Sequence, residues 1–167
     1  MFGLKKAVLP LMVILALAVT GCSSSKKKGK SGSSASGPTG EDVVLELNAD
    51  SDSGKAGGLS TVYFNYNSAT LTSMAKDALS NNADFLKSND DVEVQIEGHC
   101  DERGGVQYNL ALGEKRARRV KEYLVARGVS SSRISTISFG KERPVSFGHD
   151  EDSWSKNRRG NFVITAK

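Results

Sequence analysis

Histidine and cysteine are scarce in this 167-residue chain, with two of each, and the shortage closes off several kinds of chemistry. His99 and His149 are too few for a three-ligand zinc pattern of the His-Glu-x-x-His type. Cys22 and Cys100 cannot build a disulfide framework. Nothing beside Cys100 reads as a dedicated base, so a buried thiol is expected there rather than a nucleophile. The apolar stretch from Ala7 to Val19 falls short of the roughly 20 residues that span a bilayer. The basic run Lys115, Arg116, Arg118 and Arg119 has no aromatic-studded groove beside it, which argues against nucleic acid.

What is present begins with an export signal. Lys5 and Lys6 precede the apolar stretch, giving the n-region and h-region of a secretory signal peptide. The following Leu17-Ala18-Val19-Thr20-Gly21-Cys22 resembles the lipobox of bacterial lipoproteins, which would make Cys22 the acylated first residue of the mature chain. One acyl chain anchors only marginally and two anchor stably, so a triacyl group would moor the protein permanently. Cys100 would then lack an intramolecular partner.

The expected division is a lipoprotein signal peptide over 1–21, a lipidated, flexible tether over 22–60, and a folded domain over 61–167. The tether is rich in Ser, Gly and Lys and would reach roughly 34 Å as a flexible coil. Val43-Val44-Leu45-Glu46-Leu47 interrupts it as a possible short strand or partner-binding segment. Charge is uneven along the chain. Of the formal +4, Lys5 and Lys6 leave with the signal, and Lys26, Lys27, Lys28 and Lys30 sit directly behind the lipid, leaving −2 from Glu41 onward. Those lysines either lie near anionic headgroups or simply keep the stem soluble.

Within the domain, Val62-Tyr63-Phe64 reads as a short strand. Met74, Ala75, Ala78, Leu79, Ala83 and Leu86 keep helical spacing over about 72–87. Val92, Val94 and Ile96 alternate with Glu93, Gln95 and Glu97 as a strand with one wet face, and the alternation carries Glu97, His99 and Asp101 to the polar side. A second helix is expected over 109–127, stopped by Gly128, with Leu110, Gly113, Ala117, Val120 and Leu124 as its buried seam. Arg116 flanks that seam. Strands are expected at 134–139 and 162–165, with a short helix over 152–159 capped by Asp152 or Ser153. The pattern predicts an α/β (α+β) two-layer sandwich, β-α-β-α-β plus a fourth C-terminal strand, with helices on one face of the sheet.

The most informative pairing is an acid before this second helix and a base on it. Asn109, Leu112 and Arg116 fall within a narrow arc of one helix face, and Asp101 sits just upstream. A carboxylate and a guanidinium across a short loop suit a zwitterion, whose anion takes a two-pronged hydrogen bond and whose ammonium pairs with the acid. The rival reading makes Glu97, His99 and Asp101 an acid–base or metal set of a hydrolytic enzyme.

Phe64-Asn65-Tyr66-Asn67-Ser68-Ala69-Thr70-Leu71, Glu97-Gly98-His99-Cys100-Asp101, Asn109 through Val120 and Asn157-Arg158-Arg159 together resemble the OmpA-like peptidoglycan-binding domain family. The resemblance implies noncovalent binding of the diaminopimelate of a peptidoglycan stem peptide, without catalysis and with neither cofactor nor metal. It places Asp101 on the ligand ammonium and Arg116 on its carboxylate, with Asn65, His99, Asn109, Leu112 and Ala117 shaping the pocket. With the lipobox, the chain is most similar to the lipidated members of the family. Those sit in the outer membrane facing the periplasm, work in the Tol envelope system at cell constriction, and have a TolB-like periplasmic partner. The alternatives are a periplasmic murein-processing enzyme and a wall-anchoring module of the same family without Tol partnership. Cys100 stands where the family commonly has Thr, and Asn65 where its lipidated members usually have Asp. One of Arg158 and Arg159 is expected to steady the pocket.

Overall fold

The computed structural model describes residues 45–167. The signal peptide, Cys22 and the stem lysines lie outside the described residues. Among those described, no helix is long and apolar enough to cross a membrane.

Four strands form one mixed sheet: β1 (Val62–Tyr63), β2 (Glu93–His99), β3 (Ile134–Gly140) and β4 (Arg159–Ala166), in the order β1-β4-β2-β3. β2 and β3 run parallel, and β4 is antiparallel to both β1 and β2. Parallel neighbours need a crossover, supplied here by α2 (Val106–Ala126), while α1 (Ser73–Ser88) joins β1 to β2. The apolar side chains of α1 and α2, among them Leu79, Leu86, Val120 and Leu124, meet Val94, Ile96, Phe162 and Ile164 in the core. Both helices thus cover one face of the sheet, as the expected architecture has it.

Several boundaries moved. Thr72 caps α1, its hydroxyl accepting from the Ala75 amide at 3.1 Å. α2 begins three residues before the expected start, and Leu110 of its expected seam is only half-buried while Arg116 is fully buried. The short helix α3 (Glu151–Asn157) is capped by Asp150, whose carboxylate accepts from Ser153 N at 2.8 Å, not by Asp152 or Ser153. β4 starts three residues early because Arg159 pairs with Tyr63.

The folded body also starts before residue 61. Asn48 N donates to Ile164 O and Ser51 N to Phe162 O, both at 2.9 Å, so residues 48–51 run antiparallel along β4 beyond β1. Ala49, Ala56 and Leu59 are buried. Two of the glycines that suggested a linker, Gly57 and Gly58, serve close packing: a Cβ on Gly58 would meet the Phe85 ring at 2.4 Å. The chain therefore joins the sheet beside the C-terminal end of β4, and the opposite end of the strands carries the site.

Candidate functional site

A glycine contact sets the site. A Cβ on Gly98 would fall 1.9 Å from the Gly113 carbonyl oxygen, and one on Gly113 would fall 2.3 Å from Ser138 Oγ. Only bare backbone lets α2 lie this close to β2 and β3. One turn further along α2, Arg116 enters the interior with no exposed surface. Its Nε donates to Ser68 O at 2.9 Å, Nη1 to His99 O at 2.7 Å and Nη2 to Asn65 O at 3.0 Å. Cys100 Sγ lies 3.4 Å from Nη1, and the Phe64 ring lies 5.1 Å from the guanidinium carbon. Every acceptor in this set is neutral, and Arg116 forms no ion pair among the described residues. Burial works against its charged form and lowers its pKa, yet a guanidinium keeps its proton.

Asp101 sits on the other side of the same cleft. Its Oδ2 accepts from Arg103 Nη2 at 2.6 Å and Arg158 Nη1 at 3.2 Å, and its Oδ1 accepts from Arg103 N at 3.2 Å. Burial pushes this carboxyl up, but the hydrogen bonds from Arg103 and Arg158 outweigh it and hold the pKa below the ordinary value. Asp101 and Arg116 therefore face one space without pairing to each other. The cleft holds about 230 Å³, and Leu112, Asn109 and Tyr108 form its helical wall.

The rim is braced by aromatics. The Arg103 guanidinium lies between the Tyr66 ring at 3.9 Å and the Trp154 ring at 4.0 Å, a doubled cation–π contact. Trp154 Nε1 donates to Glu102 at 2.8 Å, and His149 Nδ1 meets the same carboxylate at 2.8 Å, which raises the His149 pKa. Asn109 Nδ2 donates to Arg103 O at 2.9 Å and Gly105 O at 3.2 Å, fastening the loop to the start of α2. Arg158 also donates to Phe64 O at 3.1 Å and pairs with Glu151.

Of the expected pocket residues, Asp101, Arg116, Asn109 and Leu112 line the cleft. Three do not reach it with their side chains. Ala117 is buried in the hydrophobic core, because it sits on the seam of α2 that faces the sheet. Asn65 contributes its carbonyl to Arg116. His99 also contributes its carbonyl.

Of the expected row, Glu97 and His99 share one side of β2, while Asp101, past the end of the strand, turns to the cleft. The register between β2 and β3 shifts between Gly98 and His99, and the His99 ring is buried, stacked on Phe139 with centroids 5.6 Å apart. It lies 3.4 Å from Glu97, which accepts from Asn161 Nδ2 at 2.9 Å. Arg159 Nε donates to Asp52 at 2.6 Å beside them. His99 Nδ1 and Arg159 Nη1 lack a partner in the described structure. This cluster occupies the sheet face away from the helices, and among the described residues no group of three or more His, Cys, Asp or Glu is arranged for a metal ion.

Sequence reading missed Arg103, Tyr66, Tyr108 and Trp154. Arg103, two residues after Asp101 in the motif, was the one detectable signal, because a loop turn brings such neighbours together.

The OmpA family model matches residues 63–158, a span that holds the whole cleft. The peptidoglycan-associated lipoprotein of Pseudomonas aeruginosa is 43% identical over 151 residues, covering 87% of this chain and 89% of the relative. That of Pasteurella multocida is 38% identical, covering 93% and 97%. The crystal structure of the peptidoglycan-associated lipoprotein from Burkholderia pseudomallei superposes with a TM-score of 0.61 at 42% identity, over 63% of this chain and 89% of that one. The C-terminal domain of Helicobacter pylori MotB gives a TM-score of 0.61 at 20% identity, a likeness of fold alone. From its cleft-bearing sheet to its lipoprotein relatives, this chain belongs to the OmpA family.

Proposed function

We propose that the chain binds peptidoglycan noncovalently by taking the free end of a stem-peptide diaminopimelate into the cleft, and that a lipid on Cys22 ties it to the outer membrane. The observation that carries this reading is the buried Arg116 guanidinium, held by three backbone carbonyls and matched by no carboxylate among the described residues. A buried cation with neutral partners is costly, and a ligand carboxylate removes the imbalance with a charge-assisted bond. The ligand ammonium turns to Asp101, which stays ionised because its pKa is held low. Arg103 and Arg158 fix the orientation of that acid and compete with the ammonium, so the single site is weak. Tethering and the many stems of the polymer then supply effective concentration.

The relatives' name, peptidoglycan-associated lipoprotein, supports both halves of the reading. The same kinship supports a role in the Tol envelope system with a TolB-like periplasmic partner, the domain facing the periplasm. The cleft favours binding over hydrolysis: burial pushes the Cys100 thiol pKa up, away from a nucleophile, and Asp101 is held low, away from a general acid.

Co-sedimentation with purified sacculi tests the reading. The full chain pellets with sacculi and is released by millimolar free meso-diaminopimelate but not by lysine, and no soluble muropeptides appear. Pelleting unaffected by diaminopimelate overturns the assignment of the cleft, and released muropeptides overturn the non-enzymatic reading.

A further inference from the structure

A second depression lies next to the cleft. It is a shallow groove of about 590 Å³ between Ala69 and Thr70 on one side and Ala111, Lys115, Arg119 and Glu122 on the other. Both walls continue those of the cleft. Tyr66 and Asn67 line the cleft, Ser68 offers its carbonyl to Arg116, and Ala69 and Thr70 line the groove. On α2, Leu112 and Arg116 serve the cleft while Ala111, Lys115 and Arg119 border the groove. Steps of three and four residues keep these positions on adjoining strips of one helix side. Cleft and groove share no lining residue; they are neighbouring depressions between the 66–70 loop and α2, parted by the Ser68 carbonyl on Arg116.

The charges along the groove are mostly spoken for. Arg118 lies 3.4 Å from Glu114, and Arg119 lies 2.9 Å from Glu122. Lys115 is exposed and forms no ion pair among the described residues. The two depressions therefore present two cations without carboxylates, Arg116 buried at the cleft and Lys115 exposed at the groove.

We propose that Lys115 receives a second carboxylate of the same ligand, the free α-carboxylate of the D-glutamate that precedes diaminopimelate in a stem peptide. This rests on the peptidoglycan reading above. D-Glutamate joins the stem through its γ-carboxyl, so its α-carboxylate is left free one residue from the diaminopimelate. A stem seated with diaminopimelate in the cleft and running on into the groove carries that anion toward Lys115. The site then reads two anions in sequence, and it distinguishes stems with glutamate from stems whose α-carboxyl is amidated to isoglutamine.

Equilibrium binding of the full chain to three probes tests this: meso-diaminopimelic acid, muramyl-L-alanyl-γ-D-glutamyl-meso-diaminopimelate, and the same muropeptide with D-isoglutamine. The expected result is about two- to fivefold tighter binding of the glutamate muropeptide than of its amide, as one exposed ion pair supplies, with the preference shrinking as salt rises. In Lys115→Gln the preference falls to about one, and in Lys115→Arg it returns. Equal binding of the two muropeptides by the natural chain, or an undiminished preference in Lys115→Gln, overturns the proposal while binding of diaminopimelic acid leaves the cleft reading standing. Failure to bind any of the three probes defeats the peptidoglycan reading itself.

Discussion

The two sides of strand β2 carry charged clusters of opposite character. On the face away from the helices, Arg159 meets Asp52 at 2.6 Å, and Glu97 takes Asn161, His99 and, at 3.9 Å, Arg143. Acids and bases match there, and the cluster closes over the sheet. At the cleft, Arg103 and Arg158 share one buried acid, Asp101, and the exposed Glu151, and Arg116 beside them has no acid among the described residues. The first cluster is balanced in charge, although His99 Nδ1 and Arg159 Nη1 keep unused hydrogen-bonding capacity, whereas the second carries a buried cation without an acid. Burial alone does not separate the two, since Arg116 and Arg159 are both almost fully buried.

The comparison is broken most severely at its dividing line. Gly98→Ala drives a methyl into the Gly113 carbonyl and is expected to cost about 3 kcal/mol by overpacking, read by urea unfolding, with both clusters disturbed together. Arg116→Lys separates the sides: the fold survives, but the fork that grips a carboxylate is gone, and affinity for sacculi falls by about 2 kcal/mol, roughly thirtyfold. Asp52→Asn makes the reverse separation. It leaves Arg159 without its acid and is expected to cost about 2 kcal/mol of stability, discounted because Asp52 retains some exposure, with sedimentation on sacculi unchanged. Wall binding lost in Asp52→Asn, at a temperature where the fold persists, would show that the two clusters are not independent.

Acid gives the smallest effect and sharpens the comparison by order of titration. Burial lowers the His99 pKa from 6.5, more than its bond to Glu97 raises it. A histidine with a lowered folded pKa binds protons more readily when unfolded, so its share of stability is whole above 6.5 and drains as pH falls through that value toward the folded one. Asp101 is lowered from 3.8, so its share is whole above 3.8 and lost only as pH falls further through its folded pKa. His149, raised from 6.5, opposes this over the same range, so unfolding midpoints between pH 7 and 5 should decline in His149→Gln and flatten when His99→Gln is added, while binding to sacculi is retained.

Much of this was legible in the residue order. The period-two pattern of β2 and the helical seams follow directly from which side chains must leave water, and the acid and base flanking α2 could be placed on one cleft by helical geometry. His99 was misplaced because its ring keeps to the Glu97 side of β2, away from α2, so that only its carbonyl reaches Arg116, and the Phe139 ring that covers it comes from another strand. Ala117 was assigned to the pocket although its place on the seam commits it to the core. Tyr66, Trp154 and Arg103 come from three distant segments, and their stacking exists only once α3 and the two loops have been brought together. Residues 45–60 looked like linker because glycines chosen for tight packing have the composition of glycines chosen for freedom.

Residues 48–51 lie against the far end of β4, and the cleft opens where β4 begins. A pull between Leu45 and a ligand on Arg116 thus runs lengthwise down the strands, and the hydrogen bonds beside β4 share the load as a lap joint does instead of being peeled apart singly. The domain is arranged to bear tension along its own grain.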